Sequence, residues 1–229
     1  MPTISELMSV LQFGDSMLPV GAFSFSNVLE SAVQAGLVHD LNTLRQFVQT
    51  ATEQAATGDG VAVLVAHRAG RAGDFARIVD ADQAVFNRKL NEEMRTMTVR
   101  MGRKLAEMAV RVLAASTIND WLLAIKRGET PGTYPIGQAL VFNALGLSEQ
   151  DAFAVHQYGV ASMMLGASLR LMKINYLDTQ AILFEVNSAA ESAYERVAGG
   201  TLEDMYAFAP LTDVLAAVHV KSTVRMFMN

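Results

Sequence analysis

Histidines are the side chains of this sequence that could most readily bind a metal. The four of them lie far apart along the chain, at His39, His67, His156 and His219. A protein metal site needs three or four converging ligands, and the chain has no cysteine that could add a thiolate. The spacing therefore indicates separate histidines on helix surfaces or in the core. It predicts no metal or cofactor site in this chain.

Motifs for nucleotide binding and for catalysis are missing as well. The sequence has neither the Gly-x-x-x-x-Gly-Lys-Ser/Thr loop that cradles phosphates nor the Gly-x-Ser-x-Gly turn that presents a nucleophile. The acidic pairs Glu92–Glu93 and Glu203–Asp204 are immediate neighbours, and such neighbours on a helix point about 100° apart. Neither pair forms an acid–base dyad by itself, so we predict that the chain is not an enzyme.

A polar cluster occupies residues 91–104, which read NEEMRTMTVRMGRK. A solvated helix face with ion pairs explains its charges. A second hypothesis stays open, in which Asp15 joins Glu93, Arg95 and Arg100 to line the pocket of a helical enzyme or of a small-ligand-binding protein.

A second polar cluster occupies residues 167–183 and includes Arg170 and Gln180. Arg170 ends a hydrophobic helix, where a cation interacts favourably with the helix dipole. Structure alone is therefore sufficient to explain this arginine.

Helices must position these residues, because apolar side chains recur at three- and four-residue steps nearly everywhere. Asp40 stands where one helix needs an N-cap, and Gly58 where that helix should stop. Further helices are predicted over 119–126, 135–145, 148–172, 177–197 and 211–219. With no convincing strand pattern, the prediction is one all-α domain over residues 1–229, a single helical-bundle-like domain of about ten helices.

Composition limits the class of protein further. The net charge is -5 and the pI about 5.4, which argues against a nucleic-acid binder. The most apolar stretch, 160–169, is shorter than the roughly 20 residues of a membrane span, and no secretory signal is evident. We expect a cytoplasmic protein that does not bind membranes. The 13 methionines fit either a Met-rich core or an apolar surface reserved for another subunit.

Residues 11–38 hold the most specific combination, LQFGDSMLPVGAFSFSNVLESAVQAGLV. Asp15 and Ser16 can accept hydrogen bonds from free backbone amides, Pro19 fixes the backbone, and Gly21 allows an unusual φ.

A helix should start directly after this turn. Asn27, with Glu30 three residues later, predicts a capping box there. Phe23 and Phe25 add aromatic area that capping does not need, although structure alone explains most of this stretch.

The same stretch resembles the N-terminal signature of the urease accessory protein UreF family. That signature reads roughly D-S-x-x-P-x-G-x-F-x-x-S, followed by G-L-E. The residues that match this signature are Asp15, Ser16, Pro19, Gly21, Phe23, Ser26 and Glu30. Ser24 adds an earlier hydroxyl directly after Phe23.

The resemblance continues to the end of the chain. Matching residues downstream are Glu93, Arg95, Arg100, Gly102, Leu105, Tyr134, Pro135, Leu145, Gly146, Arg170, Leu171, Gln180, His219, Arg225 and Phe227. Departures concentrate in 172–178, where Lys173, Asn175 and Tyr176 stand at the family's Pro, Gly and Gln positions.

The resemblance implies a function that the residues alone do not. UreF proteins are all-helical homodimers without catalytic activity that bind the accessory protein UreD, called UreH in some systems. That complex recruits the GTPase UreG and loads nickel into apo-urease, so UreF acts as a chaperone component in metallocentre assembly. Nickel and GTP would then be bound by the partner proteins. The residues expected to contact partners are Asp15, Ser16, Pro19, Gly21, Phe23, Ser24, Glu30, Glu93, Arg95, Arg100, Arg170, Gln180, His219, Arg225 and Phe227.

The C-terminal tail, about residues 219–229, is predicted to be ordered by partner binding, because chain ends are loose unless anchored. Arg225 and Phe227 would pack against UreD, with Phe227 as a buried aromatic anchor. Arg170 would lie near the UreG contact. A structural dimerisation module unrelated to urease is the third hypothesis.

Overall fold

The computed structural model describes residues 3–15, 17–220 and 225–228, and these residues contain no strand. The α-helices within them are α1 Ile4–Gly14, α2 Leu29–Gln34, α3 Leu41–Ala55, α4 Val61–Ala72, α5 Phe75–Arg88, α6 Glu92–Leu113, α7 Ser116–Arg127, α8 Tyr134–Ala144, α9 Glu149–Leu171, α10 Tyr176–Asn187, α11 Ala190–Val197 and α12 Pro210–Val220. The prediction of an all-α fold is confirmed.

The predicted helix over 177–197 is divided into α10 and α11. No helix among the described residues is both long and apolar enough to cross a membrane.

The core is built around α4, α8 and α9. Every residue from Val61 to His67 is buried, so the first two turns of α4 are covered on all sides, with α5, α8 and α9 packed around the helix. The long helix α9 also contributes Met164 and Leu165 to a second hydrophobic cluster, formed with α2, α3, α10 and α12. The hydrophobicity that the sequence shows in these two helices is therefore satisfied largely within the chain.

The predicted helix stop at Gly58 is wrong. The chain continues from α3 through one π-helical turn, Ala56–Gly60, directly into α4. The wider turn places Thr57 against the segment that follows α11: the Tyr206 N–H donates to the Thr57 carbonyl at 3.1 Å, and the Thr57 hydroxyl donates to the Tyr206 carbonyl at 3.0 Å. The contact between Thr57 and Tyr206 thus stands where Gly58 had indicated a helix C-cap.

Asp82 of α5 fixes the loop between α7 and α8. Its carboxylate is fully buried and accepts five hydrogen bonds. They come from the Trp121 indole, the Thr130 hydroxyl, the Gly132 amide, and both the amide and the hydroxyl of Thr133. Thr133 is the N-cap residue of α8, so this one side chain sets where α8 begins.

Gly102 lets α6 approach that loop. A Cβ atom at this position would lie 2.6 Å from the Thr133 carbonyl carbon and 2.8 Å from the Tyr134 nitrogen. Only glycine avoids this overlap with rigid backbone, which gives a packing reason for the glycine in the Arg100–Gly102 motif.

Candidate functional site

The N-terminal turn has the backbone geometry that its residues predict. The Asp15 carboxylate accepts a hydrogen bond from the Met17 amide at 2.8 Å, and Gly21 has a φ of 91°, which side-chain-bearing residues rarely adopt. Pro19 is exposed, and Ser16 lies outside the described residues. The turn ends in a short 3₁₀ helix, Ala22–Ser24, whose Phe23 side chain is 68% exposed.

The predicted capping box of Asn27 and Glu30 is wrong. Asn27 and Val28 both adopt left-handed backbone conformations, with φ of 51° and 63°, and α2 has no side-chain cap at its N-cap residue Val28. Ser26 provides the local acceptor instead, because its hydroxyl accepts from the Glu30 amide at 3.3 Å. The Glu30 carboxylate is therefore not used at the start of its own helix.

Glu30 binds the C-terminal tail of the same chain. Its carboxylate, which is buried, accepts hydrogen bonds from the backbone amides of Met226 at 2.7 Å and Phe227 at 2.9 Å. One residue further on, the Met228 amide donates to the Ser24 carbonyl at 2.9 Å. The two ends of the chain are thus joined through three tail amides.

His219, the penultimate residue of α12, joins this contact to α6. Its ring is fully buried, with Nδ1 2.8 Å from Glu93 Oε2 and Nε2 3.3 Å from Glu30 Oε2. The guanidinium of Arg225 forms an ion pair with the other Glu93 oxygen at 2.5 Å. Four charged or titratable side chains from α2, α6, α12 and the tail therefore meet in one network.

Arg170 covers the tail from the side of α9. Its guanidinium carbon lies 4.1 Å from the centre of the Phe227 ring, and its Nη2 donates to the Phe23 carbonyl at 3.0 Å. Phe227 is only 5% exposed, against residues of its own chain. Its role as an anchor for a partner stays a prediction, and an anchor of that kind would first have to leave this site.

We name this arrangement the tail site. Of the residues that the sequence singled out, the structure brings together Phe23, Ser24, Glu30, Glu93, Arg170, His219, Arg225 and Phe227. The other described candidates lie elsewhere. Arg95 donates to the Lys89 carbonyl at 2.6 Å and stacks on Phe86, while Arg100 and Gln180 are exposed on α6 and α10.

The pocket hypothesis fails in its geometry. A cavity of about 370 Å³ lies between the N-terminal turn, α6 and α9, and Asp15 lines it. Glu93, Arg95 and Arg100 do not, because Glu93 faces the tail and Arg95 faces Lys89. The four side chains therefore do not converge.

Among the titratable side chains that line this cavity, His156 and Tyr134 are those whose charged forms burial suppresses. Burial lowers the pKa of His156 to about 4, and its Nδ1 lies 2.9 Å from the Gln138 side-chain oxygen. Burial raises the pKa of Tyr134 to about 12. Both are neutral at pH 7. No group of three His, Asp or Glu side chains that could hold a metal ion occurs in the part of the chain that the structure describes.

Comparison with known proteins identifies the family. The sequence model of the UreF family matches residues 38–187. Urease accessory protein UreF 2 of Brucella canis is 57% identical over 99% of this chain and 93% of its own length, and UreF 1 of Brucella melitensis is 56% identical over 99% and 94%. Urease accessory protein UreF of Yersinia pestis is 52% identical over 98% of this chain and 99% of its own length. These relatives are named as accessory proteins, which are maturation factors and not enzymes, so the prediction of no enzymatic activity agrees with them. The chain belongs to the UreF family of urease accessory proteins and has a role in urease maturation.

Proposed function

We propose that this chain binds UreD (UreH) and, as part of that complex, recruits and regulates the GTPase UreG, so that nickel is inserted into apo-urease. In this proposal the chain works as a homodimer in the cytoplasm, and the partners bind the nickel and the GTP. The observation that carries the proposal is the tail site, in which signature residues from the N-terminal turn, α6, α9 and the tail meet on one face.

The UreD contact is assigned to the exposed rim of the tail site. The Phe23 side chain is 68% exposed and that of Met226 59% exposed, while the neighbouring Phe227 is buried. Exposed aromatic and methionine side chains beside a docked backbone segment are typical of a protein interface. The rim thus gives UreD apolar surface without requiring Phe227 to leave its site.

Phe23→Ala tests this assignment, because an exposed side chain can be removed without loss of packing. We expect co-purification with UreD to fall at least tenfold while the circular dichroism stays unchanged. Val112→Ala is the matched control, since Val112 is also exposed but lies near the opposite end of α6 from Glu93. Equal UreD binding by both variants would refute the assignment.

The UreG contact is assigned to the neighbourhood of Arg170. Arg170→Glu should weaken the recruitment of UreG to a preformed UreD–UreF complex, and Arg170→Lys, which keeps the charge, should weaken it less. Size-exclusion chromatography of the ternary mixture measures both. Undiminished recruitment by Arg170→Glu would remove this residue from the UreG contact.

A further inference from the structure

The cavity between the N-terminal turn, α6 and α9 has the size of a small-molecule pocket. Its volume of about 370 Å³ falls within the range of roughly 300–1,000 Å³ that is typical of such pockets. The π-helical turn Ala56–Gly60 contributes Gly58 and Asp59 to its wall, and α8 contributes Gln138. Turns of this kind within helices occur frequently at functional sites. The cavity is therefore large enough to hold a small organic molecule.

His156 of α9 gives the wall of this cavity a nitrogen whose hydrogen-bonding capacity is unused. The residue is only 4% exposed, and its Nδ1 lies 2.9 Å from Gln138 Oε1. That oxygen can only accept, so Nδ1 carries the proton and Nε2 presents a lone pair. Nε2 is buried and has no hydrogen-bond partner among the described residues. A buried acceptor without a donor carries a desolvation penalty, which a molecule that supplies a donor from the cavity would remove.

The charges around the cavity favour a neutral ligand. His156 is uncharged at pH 7, and Lys89 and Asp59 neutralise each other with their Nζ and Oδ2 atoms 2.6 Å apart. An ion without a partner of opposite charge would lose its hydration in such a site at a large cost. The other charged side chains that line the cavity are exposed to solvent, and they are Asp15, Arg88 and Arg170.

Methionines form much of the apolar part of the wall. Of the 13 methionines in the chain, those that line the cavity are Met17, Met94, Met97, Met101 and Met163. Their unbranched side chains adapt to the shape of a ligand, and thioether sulfur makes favourable contacts with aromatic rings. The wall therefore favours an aromatic body over an aliphatic one.

We propose that this cavity binds a small neutral aromatic molecule that carries a hydroxyl or N–H donor. The donor bonds to His156 Nε2, and the ring lies against the methionine side chains of α6 and α9. The ion pair between Asp59 and Lys89 stays intact, because the ligand brings no charge. The site requires contact with neither UreD nor UreG, so it stands or falls separately from the proposed function.

Phenol is the probe for this site, because it is the simplest aromatic molecule with a hydroxyl donor. The full chain, isotope-labelled in its methionine methyl groups and histidine rings, is titrated by NMR at phenol concentrations that leave the circular dichroism unchanged. We expect saturable shifts of the Met101 and Met163 methyl signals, while the signal of Met8, which is exposed on α1 and lies outside the cavity, stays in place. The His156 Nε2 resonance should move in the direction of a hydrogen-bonded lone pair.

Toluene has nearly the shape of phenol without the donor, so it should leave the Nε2 resonance in place even where it fills the cavity. A titration with phenol that produces no saturable methionine shifts would overturn the proposal. Methionine shifts without a change at Nε2 would overturn it as well, because the ligand would then not bond to His156.

His156→Phe removes the acceptor and keeps a ring of similar size. The affinity for phenol should fall about fivefold or more and that for toluene by less than about twofold, because only phenol loses a hydrogen bond. His39→Phe changes an exposed histidine outside the cavity and should bind both molecules as the wild type does. Equal losses of phenol and toluene affinity in His156→Phe would show that the ring acts through its shape alone, against the proposal. If His156→Phe does not fold, the measurements on the wild type still decide.

Discussion

Two buried carboxylates hold this chain together in different ways. Asp82 accepts five hydrogen bonds from neutral donors that lie 39 to 51 residues away. Glu30 accepts bonds from two tail amides, 196 and 197 residues away, and faces the His219 ring, 189 residues away. The Asp82 site consists of neutral hydrogen-bond donors inside the core. The Glu30 site consists of titratable side chains and the backbone of the chain end.

The difference lies in where each carboxylate can go when its bonds break. Asp82 lies under α7 and α8 and reaches water only if that part of the core opens. Glu30 is covered by His219 of α12 and by a segment close to the end of the chain, and chain ends open more readily than a core does, so we expect this site to open while the core helices stay folded. A buried carboxylate can therefore fix a loop within the core or hold the end of the chain, according to what covers it.

Asp82→Asn should have the largest effect on stability. An amide keeps one acceptor oxygen but presents N–H groups to several of the five donors, which then remain buried without partners. We expect a loss of about 3–5 kcal/mol in the free energy of unfolding, measured by urea denaturation. Asp80→Asn, on the exposed side of the same helix, should stay within about 0.5 kcal/mol of the wild type. If the two variants were equally stable, Asp82 would not be the structural centre described here.

Gly102→Ala tests the same loop from the side of α6. The added methyl group meets the backbone of Thr133 and Tyr134, which Asp82 and the start of α8 hold in place. The expected loss is about 1–3 kcal/mol. Gly166→Ala in the interior of α9, where a Cβ atom would meet nothing within 4 Å, should instead stabilise the protein by about 0.5–1 kcal/mol. Destabilisation by both substitutions would point to helix geometry in general and not to this contact.

Much of the fold could be predicted from the sequence because it depends on local periodicity. The helix predicted over 148–172 appears as Glu149–Leu171, and Asp40 caps α3 as expected. The prediction failed at two positions. Next to Gly58, Thr57 forms hydrogen bonds with the distant Tyr206 and the helix does not end. At Asn27, the Glu30 carboxylate that was predicted to cap α2 accepts from the tail instead. Local patterns contain no information about such partners.

The sequence named many residues of the candidate site, but it did not predict which of them contact one another. The family resemblance singled out Glu30, Glu93 and His219 separately, and nothing in their spacing indicates that the two carboxylates meet at one ring. Asp82 was missed entirely, because the sequence does not distinguish it from Asp80, the other acid on α5. Its importance comes from the loop that folds over it.

His156 tests how the stability of the core responds to pH. Its pKa is lowered to about 4 in the folded protein, so between pH ~6.5 and 4 the unfolded chain binds a proton that the folded chain does not. This contribution to stability is present above pH ~6.5 and is lost as the pH falls, by up to about 1.4 kcal/mol per pH unit. Urea midpoints at pH 7, 6 and 5 should decline in the wild type and decline less in His156→Gln. Burial also lowers the pKa of His67, so a residual slope should remain. Identical slopes in both proteins would contradict the assignment to His156.

Glu30→Gln should have the smallest effect on global stability and yet abolish tail docking. The amide group cannot accept from both tail amides while it also faces His219, so protection of the Met226 and Phe227 amides should fall at least tenfold. The free energy of unfolding should change by less than about 1 kcal/mol, because the tail can leave and the side chain then reaches water, which limits the cost to the free energy of docking. Glu92→Gln, an exposed neighbour of Glu93, should change neither quantity. If Glu30→Gln destabilised the protein as much as Asp82→Asn does, the tail would be an integral part of the core, and the contrast between the two carboxylates would disappear.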